Sequence, residues 1–417
     1  MKRQILVIGS GGREHALCKK LIGSKYQPHV YCAKGNAGMT LDGIVLVDIS
    51  EDDHQGLIDF CHKKKIDWVI IGPELPLLNG LVDEMKKNHI KVFGPTKQAA
   101  MIEGSKAFAK QLMSKYHIPT AIYESFTHYD EALNYIKKQS LPIVIKADGL
   151  AAGKGVVIAQ SLEEADKALK EFLLVNPFNS KKPKVVIEEF LVGKEFSLLS
   201  FVNQTGIYPM EVAKDHKAIY DGDKGPNTGG MGAYSPVSYV TKEIKEQVVE
   251  EIIKPTVEGM KQENLPFEGV LYTGLILTTD GPKVIEYNAR FGDPETQVLL
   301  ERLESDLVDV IESLLAQEVP SIKWKIEGVT LGVVVSAKGY PETYETGIPL
   351  PNMEKGLNIL YSGVKSKEKE LVSNGGRIFL ACGEGDTLSL ASQKVYEYLE
   401  KRELNHFYYR KDIGRKI

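Results

Sequence analysis

Five short apolar runs alternate with amphipathic stretches over the first hundred residues, and this alternation limits the possible folds more than any other feature of the chain. The runs are "QILVIG", "HVYCA", "GIVLVD", "DWVIIG" and "KVFG", each followed by Gly, Asp or a turn. Continuous apolar runs of this length suit strands buried on both faces. Between them lie stretches such as "DDHQGLIDFCHKKKI" and "NGLVDEMKKNH", apolar on one side only. Strand, helix, strand in repetition predicts parallel strands with helical crossovers, a doubly wound α/β sheet.

A single core cannot serve 417 residues, so two to four domains are expected. The βα pattern ends near residue 103. A helix over about 104–116 follows, and Pro119 in "HIPTAIYESF" marks a boundary. Residues of about 120–190 read as a small α+β lobe, with strand-like "LPIVIKADG" and "KGVVIAQ" flanking a glycine-rich loop, a helix at 161–174 and the strand "KVVIEEFL". Residues 191–325 carry further strands, a glycine-rich insertion at 222–232, and helices over 241–264 and 295–317, the first expected to kink at Pro255. "VTLGVVVSAKGYP" opens a last, mostly β unit that ends in a helix at 386–402. The fold class is thus α/β and α+β multidomain, with units at 1–103, 104–325 and 326–417.

The net charge of −4 gives no basic field for nucleic acid. The four scattered cysteines, Cys18, Cys32, Cys61 and Cys382, read as reduced core thiols of a cytoplasmic protein. No apolar run approaches the ~20 residues of a membrane span.

The loop "GSGGREHAL" nearly matches the dinucleotide fingerprint, but Glu14 stands where the third glycine belongs. The second strand ends in Lys34, Gly35 and Asn36, where the fingerprint wants an acid for a ribose. Lysine there suits an anion. The helix start after Gly11 and Gly12 offers backbone donors and a positive dipole end. A monophosphate, a dinucleotide and a ligand-free tight turn all remain open on the loop alone.

"IKADGLAAGKGVVIA" places Lys146 at a strand end, then Gly149, Gly153 and Gly155 around Lys154. Glycines admit phosphate oxygens to backbone amides, and lysines supply charge. The loop joins strand to strand, so it reads as a hairpin flap; a plain glycine-rich hairpin tip is the alternative. "VVIEEFLVGKEFS" ends a strand with Glu188, Glu189 and Leu191, then Glu195. Such an end can present backbone groups to a purine and a carboxylate to a ribose, or be merely an acidic strand end. In "PKVIEYNARFGDPETQ", Glu286 and Asn288 lie two apart on a strand and share a face, as two hard oxygen donors for Mg²⁺. Arg290 shares that face and can steady phosphoryl charge.

Lysine strand, glycine flap, E-E-x-L hinge and E-x-N strand, in this order, resemble the ATP-grasp superfamily. "VIGSGGREHAL", "GNAG", "IGPELPLLNGLVD", "KADGLAAGKGV", "KDHK", "DGDKGPNTGGMGAYSP", "NARFGDPETQ" and "NGGRIFLACGEGDTL" extend the resemblance, along essentially the whole chain, to the glycinamide ribonucleotide synthetase (phosphoribosylamine–glycine ligase) family. The resemblance implies a Rossmann-like pre-ATP-grasp domain, a two-lobed ATP-grasp fold and a C-terminal domain. It implies a carbon–nitrogen ligase of purine biosynthesis that joins glycine to 5-phosphoribosylamine with ATP, through glycyl phosphate. Position by position, it puts Lys106 and Lys146 on the ATP phosphates and the flap at 149–155. Glu188 and the Leu191 backbone fall at adenine and Glu195 at the ribose, with Glu189 also among the ATP contacts. Glu286 and Asn288 would hold Mg²⁺ or Mn²⁺. Gly11, Gly12, Arg13, Glu14, Lys34, Gly35 and Asn36 would face phosphoribosylamine. Asp215, Lys217, Asn227, Gly229 and Gly230 would border the glycine and amine site, closed by Arg290 and Asp293.

Transient contact with neighbouring pathway enzymes fits this reading; nucleic acid and membrane partners do not. Two departures stand out. Ala218 follows "DHK" where the resemblance implies arginine, and the strand "LYTGLILT" before Glu286 has no carboxylate for a second metal contact. Competing readings are an ATP-grasp ligase with other substrates, a nucleotide-binding regulator without catalysis, and a nicotinamide oxidoreductase.

Overall fold

The computed structural model describes residues 2–150, 155–178, 180–353 and 356–415. All five apolar runs of the first hundred residues are strands of one parallel sheet. Its spatial order is Val45–Val47, His29–Lys34, Gln4–Gly9, Trp68–Ile71, Val92–Phe93. Ile5 to Ile8 are fully buried, as a run without alternation requires. The strand order reverses beside Gln4–Gly9. The Gly9–Gly12 loop therefore opens into the crevice at a topological switch point.

The small lobe is a four-stranded antiparallel sheet, in the order Tyr123–Phe126, Val185–Glu189, Ile143–Ala147, Val156–Ala159. Lys146 pairs with Val156, so the glycine-rich loop does join two strands of a hairpin. The helices Tyr129–Ile136 and Leu162–Leu169 bury Ala132, Ile136, Ala165 and Leu169 against it.

The third sheet runs through both remaining units. Its order is Gly281–Asn288, Gly269–Thr278, Lys194–Asn203, Gly206–Asp215, Gly232–Ser235, Val329–Ala337, Arg377–Gly385, Asn358–Tyr361, with Phe407–Tyr408 beside Val329–Ala337. Gly232–Ser235 is the joint. It pairs with Lys214 and Asp215 on one side and with Thr330 to Val333 on the other. The units expected at 104–325 and 326–417 thus share one hydrogen-bonded sheet, and a strand of the C-terminal unit lies two strands from Asp215.

Two long helices differ from expectation. The stretch expected over 241–264 runs as helix Lys242–Val248, a π-turn Val249–Ile253 and helix Lys254–Gln262. Pro255 has no N–H, and the ladder adapts one residue earlier, where Lys254 N–H donates to the Val249 carbonyl five residues back. The stretch expected over 295–317 is two helices, Glu295–Arg302 and Leu307–Leu315. Asp306 starts the second by accepting from Val308 N–H, and the same carboxylate accepts from Ser24 Oγ and Lys25 N–H.

The first helix, Gly12–Ile22, is pinned to the C-terminal unit through His15. Tyr361 N–H donates to His15 Nδ1 at 2.8 Å, so the ring proton sits on Nε2, 2.9 Å from Asp42 Oδ2. Burial lowers the imidazole below its ordinary value and Lys19 adds to this, while Asp42 opposes it. A histidine lowered in the folded state contributes stability above pH 6.5 that fades as pH falls below it. The melting temperature of the protein is expected to drop further between pH 7 and pH 5 than that of His15→Gln, which can still accept from Tyr361 but does not titrate. Parallel curves would remove His15 from the account.

Candidate active site

The helix Lys106–Lys115 begins at Ser105, whose hydroxyl accepts from Phe108 N–H, and Asp148 accepts from both Ser105 Oγ and Ala107 N–H. This cap ties Lys106 to the base of the flap, where its ammonium donates to the Gly149 carbonyl at 2.7 Å. Lys146 reaches across the cleft to the Ile285 carbonyl at 3.1 Å, on the strand that carries Glu286. Lys217 Nζ lies 2.9 Å from Glu286 Oε1. One carboxylate therefore sits in the field of three lysines. Lys217 foremost, then Lys146 and Lys106, holds Glu286 down to about 2 against the effect of burial. Glu286 and Asp215 in turn keep the Lys217 ammonium well above its ordinary value, although burial opposes this. Burial pushes Asp215 up to about 7, against Lys217 and with Glu295.

Glu286 and Asn288 project from one face of their strand, as the two-residue spacing requires. Gly274 pairs opposite Glu286, and a Cβ there would sit 3.1 Å from Glu286 Cγ. The neighbouring strand thus yields room to this side chain. Asn288 Oδ1 faces Arg290 Nη2 at 3.3 Å. Both oxygens face cationic nitrogens, so an incoming ion would displace these partners or share the oxygens with them. A carboxylate and an amide oxygen, with no sulfur or imidazole beside them, fit a hard ion such as Mg²⁺ or Mn²⁺. Among the described residues no group of three or more His, Cys, Asp or Glu could hold a metal. An ion here would rely on phosphate oxygens and water.

Several other predicted residues are more committed than the sequence suggests. Glu188 is buried between two lysines, with Lys146 Nζ at 2.9 Å and Lys110 Nζ at 3.0 Å. Glu189 accepts from Ile122 N–H at 2.9 Å. Leu191 and Glu195 remain at the open edge of the slot. Arg290 is held by Glu103 at 3.1 Å and Glu74 at 3.4 Å. Burial would lower its guanidinium, but these carboxylates hold it above the usual value. Asp293 pairs with Arg377 at 2.8 Å, and Arg377 also donates to the Gly229 carbonyl at 2.6 Å. Gly230 sits at φ +107°, with Pro294 Cδ 2.4 Å from where a Cβ would be, so only glycine fits. Asn227 is exposed and paired by its backbone to Ala218. Gly155 accepts from Ala147 N–H at 2.8 Å; Gly153 and Lys154 lie outside the described residues.

The residues of the opening loop already have partners within the chain. Glu14 turns back to accept from Gly11 N–H at 2.7 Å and pairs with Arg13 at 2.5 Å. This is the glutamate half of a capping box, with glycine in the cap position and no reciprocal side-chain bond. The helix start thus carries its own carboxylate, and the Gly11 amide reserved for phosphate is already used. That arrangement also displaces a dinucleotide pyrophosphate. Asn36 donates to the Ser10 and Tyr361 carbonyls and accepts from Gly38 N–H, so it staples the loop. Gly35 N–H donates to the Gly9 carbonyl. Gly12 faces Ser362 and Gln297. Arg13 reaches the Phe291 carbonyl at 3.1 Å. Only Lys34 stays largely free, 65% exposed and 3.7 Å from Asp48.

Sequence reading missed Lys110, Glu74, Glu103, Glu295 and Arg377. Lys110 was within reach, since it lies four residues after Lys106 on one helix face. Its ammonium is pushed down to about 8, chiefly by burial, with Glu188 opposing. Glu295 is buried under the site, where Tyr272 Oη donates to it at 2.9 Å and bonds Ser197 Oγ at 2.8 Å.

Comparison with known proteins agrees with this geometry. Residues 3–103, 104–296 and 330–416 match the models of the phosphoribosylglycinamide synthetase N domain, ATP-grasp (A) domain and C domain. The chain is 54% identical over 416 residues to the phosphoribosylamine–glycine ligase of Listeria innocua, covering 99% of each chain. It is 52% identical over 412 residues to that of Lactococcus lactis, again covering 99% of each. The crystal structure of the phosphoribosylamine–glycine ligase of Thermotoga maritima superposes with a TM-score of 0.86 at 35% identity, over 98% of this chain and 100% of that one.

Proposed function

The chain belongs to the phosphoribosylglycinamide synthetase family, and on that premise we propose that it is the ATP-dependent ligase that joins glycine to 5-phosphoribosylamine in purine biosynthesis. The products are glycinamide ribonucleotide, ADP and phosphate. One observation carries the reading: Glu286, beside Asn288, pairs with Lys217 and lies in the field of Lys146 and Lys106, in a chain whose three segments match the three domains of one ligase family.

Glycine's carboxylate is a poor acyl donor, because its leaving group would be oxide. One carboxylate oxygen attacks the γ-phosphorus of ATP, ADP departs, and glycyl phosphate forms. The amine of phosphoribosylamine then attacks the carbonyl carbon, phosphate leaves, and the nitrogen sheds a proton as it becomes an amide. No enzyme nucleophile is required. Lys106 and Lys146 grip phosphate oxygens, Leu191 and Glu195 edge the nucleoside slot, and Asp215 and Lys217 border the glycine site. Glu286 and Asn288 would hold Mg²⁺ or Mn²⁺, which when bound offsets phosphate charge during transfer. Arg290, fixed between Glu74 and Glu103, keeps its remaining face toward Asn288. The Gly11–Gly12 loop, Asp293 and Gly229–Gly230 meet near one another and border the amine substrate. No helix of the described residues is long and apolar enough to cross a membrane. The chemistry suits the cytoplasm, with transient contact to neighbouring purine enzymes.

Phosphate release from ATP should need both glycine and phosphoribosylamine. Glycine labelled with ¹⁸O in its carboxylate should pass one labelled oxygen to phosphate per turnover in ordinary water. Unlabelled phosphate, stoichiometric AMP, or release indifferent to glycine would overturn the reading.

A further inference from the structure

The substrate loop is fastened from outside the ATP-grasp unit, by the last described stretch of the chain. The loop is a hairpin. Ala218–Tyr220 pairs with Lys224–Asn227, and Thr228 closes it by donating from N–H and Oγ1 to the Lys217 carbonyl, each at 2.8 Å. Beyond this closure, Arg377 and Tyr340 hold Gly229 and Gly230, and residues 218–223 meet the segment 408–412 of the C-terminal unit. Arg410 is fully buried. Its guanidinium forks onto Asp412 at 2.7 and 2.5 Å, and Nη1 donates to the Ala218 carbonyl at 3.0 Å and to Asp223 at 2.7 Å. Asp412 also accepts from Gly222 N–H at 2.9 Å, Lys411 N–H donates to Asp221 at 2.8 Å, and the Tyr220 and Tyr408 rings meet edge to face.

We propose that Arg410 is a positioning residue for the ligase reaction: it anchors the 218–223 hairpin so that Lys217, immediately before it, meets Glu286 and the glycine site in register. This rests on the function proposed above. The side chain of Ala218 is buried and uncharged, so the cation at this point comes from Arg410 and acts on the backbone. An arginine contributes here what no side chain at 218 does, because its five donors can hold a carbonyl and two carboxylates together. The nucleotide lysines, Lys106 and Lys146, stand on other elements and do not touch this clamp. Loosening it therefore acts first on the glycine and amine side, and on ATP only through the Lys217–Glu286 pair.

Arg410→Ala strands the buried Asp412 carboxylate, and that variant can fail to fold. The decisive variant is Asp221→Ala with Asp223→Ala, which removes two of the clamp's five contacts from its exposed side and leaves the Arg410–Asp412 fork and the Ala218 and Gly222 bonds intact. It should raise the KM for glycine at least fivefold, keep the KM for ATP within twofold, and melt like the parent. Arg410→Lys should show the same split more weakly. Amide hydrogen exchange over 216–230 should quicken in the double variant with no substrate present, which tests the anchoring even if the parent lacks glycine-dependent turnover. Glycine-independent turnover by the parent would count against the ligase function, not the clamp. Unchanged exchange, an unchanged glycine KM in an active enzyme, or equal rises for glycine and ATP would overturn the proposal.

Discussion

Glu286→Ala is expected to lower kcat at least a hundredfold, about 2.7 kcal/mol in the barrier, while the protein unfolds within ~1 kcal/mol of the parent. The two effects separate because of where the carboxylate sits. Its side chain is 40% exposed, and its ion pair with Lys217 lies at the mouth of the cleft, where such a pair adds little to stability. Its chemistry is different. Three lysines hold it ionised at about 2, so it offers a full negative charge to a cation at any working pH. No pH break from Glu286 is expected above pH 4. Asn288→Ala should behave alike with a smaller loss, since an amide oxygen brings a dipole and no charge. Steady-state rates with saturating substrates, beside urea unfolding curves, check both. A Glu286→Ala enzyme within tenfold of the parent rate would end the assignment of this strand to the ion.

Much of the architecture was legible in the sequence, for identifiable reasons. A strand buried on both faces must be apolar throughout, and the five runs of the first hundred residues said so directly. The E-x-N pair needed only the period of a strand. What lay hidden depends on partners remote in sequence. Ala289 N–H is held by Glu103, 186 residues away, and the same carboxylate neutralises Arg290. Nothing in "NARFGD" announces that its arginine is already paired. The shared sheet across Gly232–Ser235 and Val329–Ala337 was similarly invisible, because each strand alone looks like a member of its own unit. Glu14 is a different case. With glycine in the cap position only the glutamate half of a capping box can form, so the Gly-x-x-Glu spacing read as a defective nucleotide fingerprint.

Glu188 separates a nucleotide contact from a structural ion. As an adenine contact alone, its removal would raise the KM for ATP and leave folding untouched. The structure points to a second effect. Glu188 is the carboxylate between Lys110 and Lys146, and all three side chains are at least nine-tenths buried. Glu188→Ala leaves two ammonium groups facing each other out of water. Breaking a buried pair by removing one partner costs about 3–5 kcal/mol, far beyond an exposed pair. Lys110 has other partners, Thr120 Oγ1 at 2.8 Å and the Ala121 carbonyl, but neither carries charge. Lys146 would also lose the carboxylate that holds it beside the Ile285 carbonyl. Glu188→Ala should therefore unfold at clearly lower urea and bind ATP more weakly at once. Adding Lys110→Met tests the cause. It removes one of the two stranded charges with a side chain of similar length, so the double variant should regain a good part of the lost stability, although Lys110→Met alone destabilises the parent by leaving Glu188 with a single partner. That non-additivity is the signature of a shared buried charge. Strictly additive losses, or a Glu188→Ala protein that unfolds with the parent, would return Glu188 to the adenine slot alone.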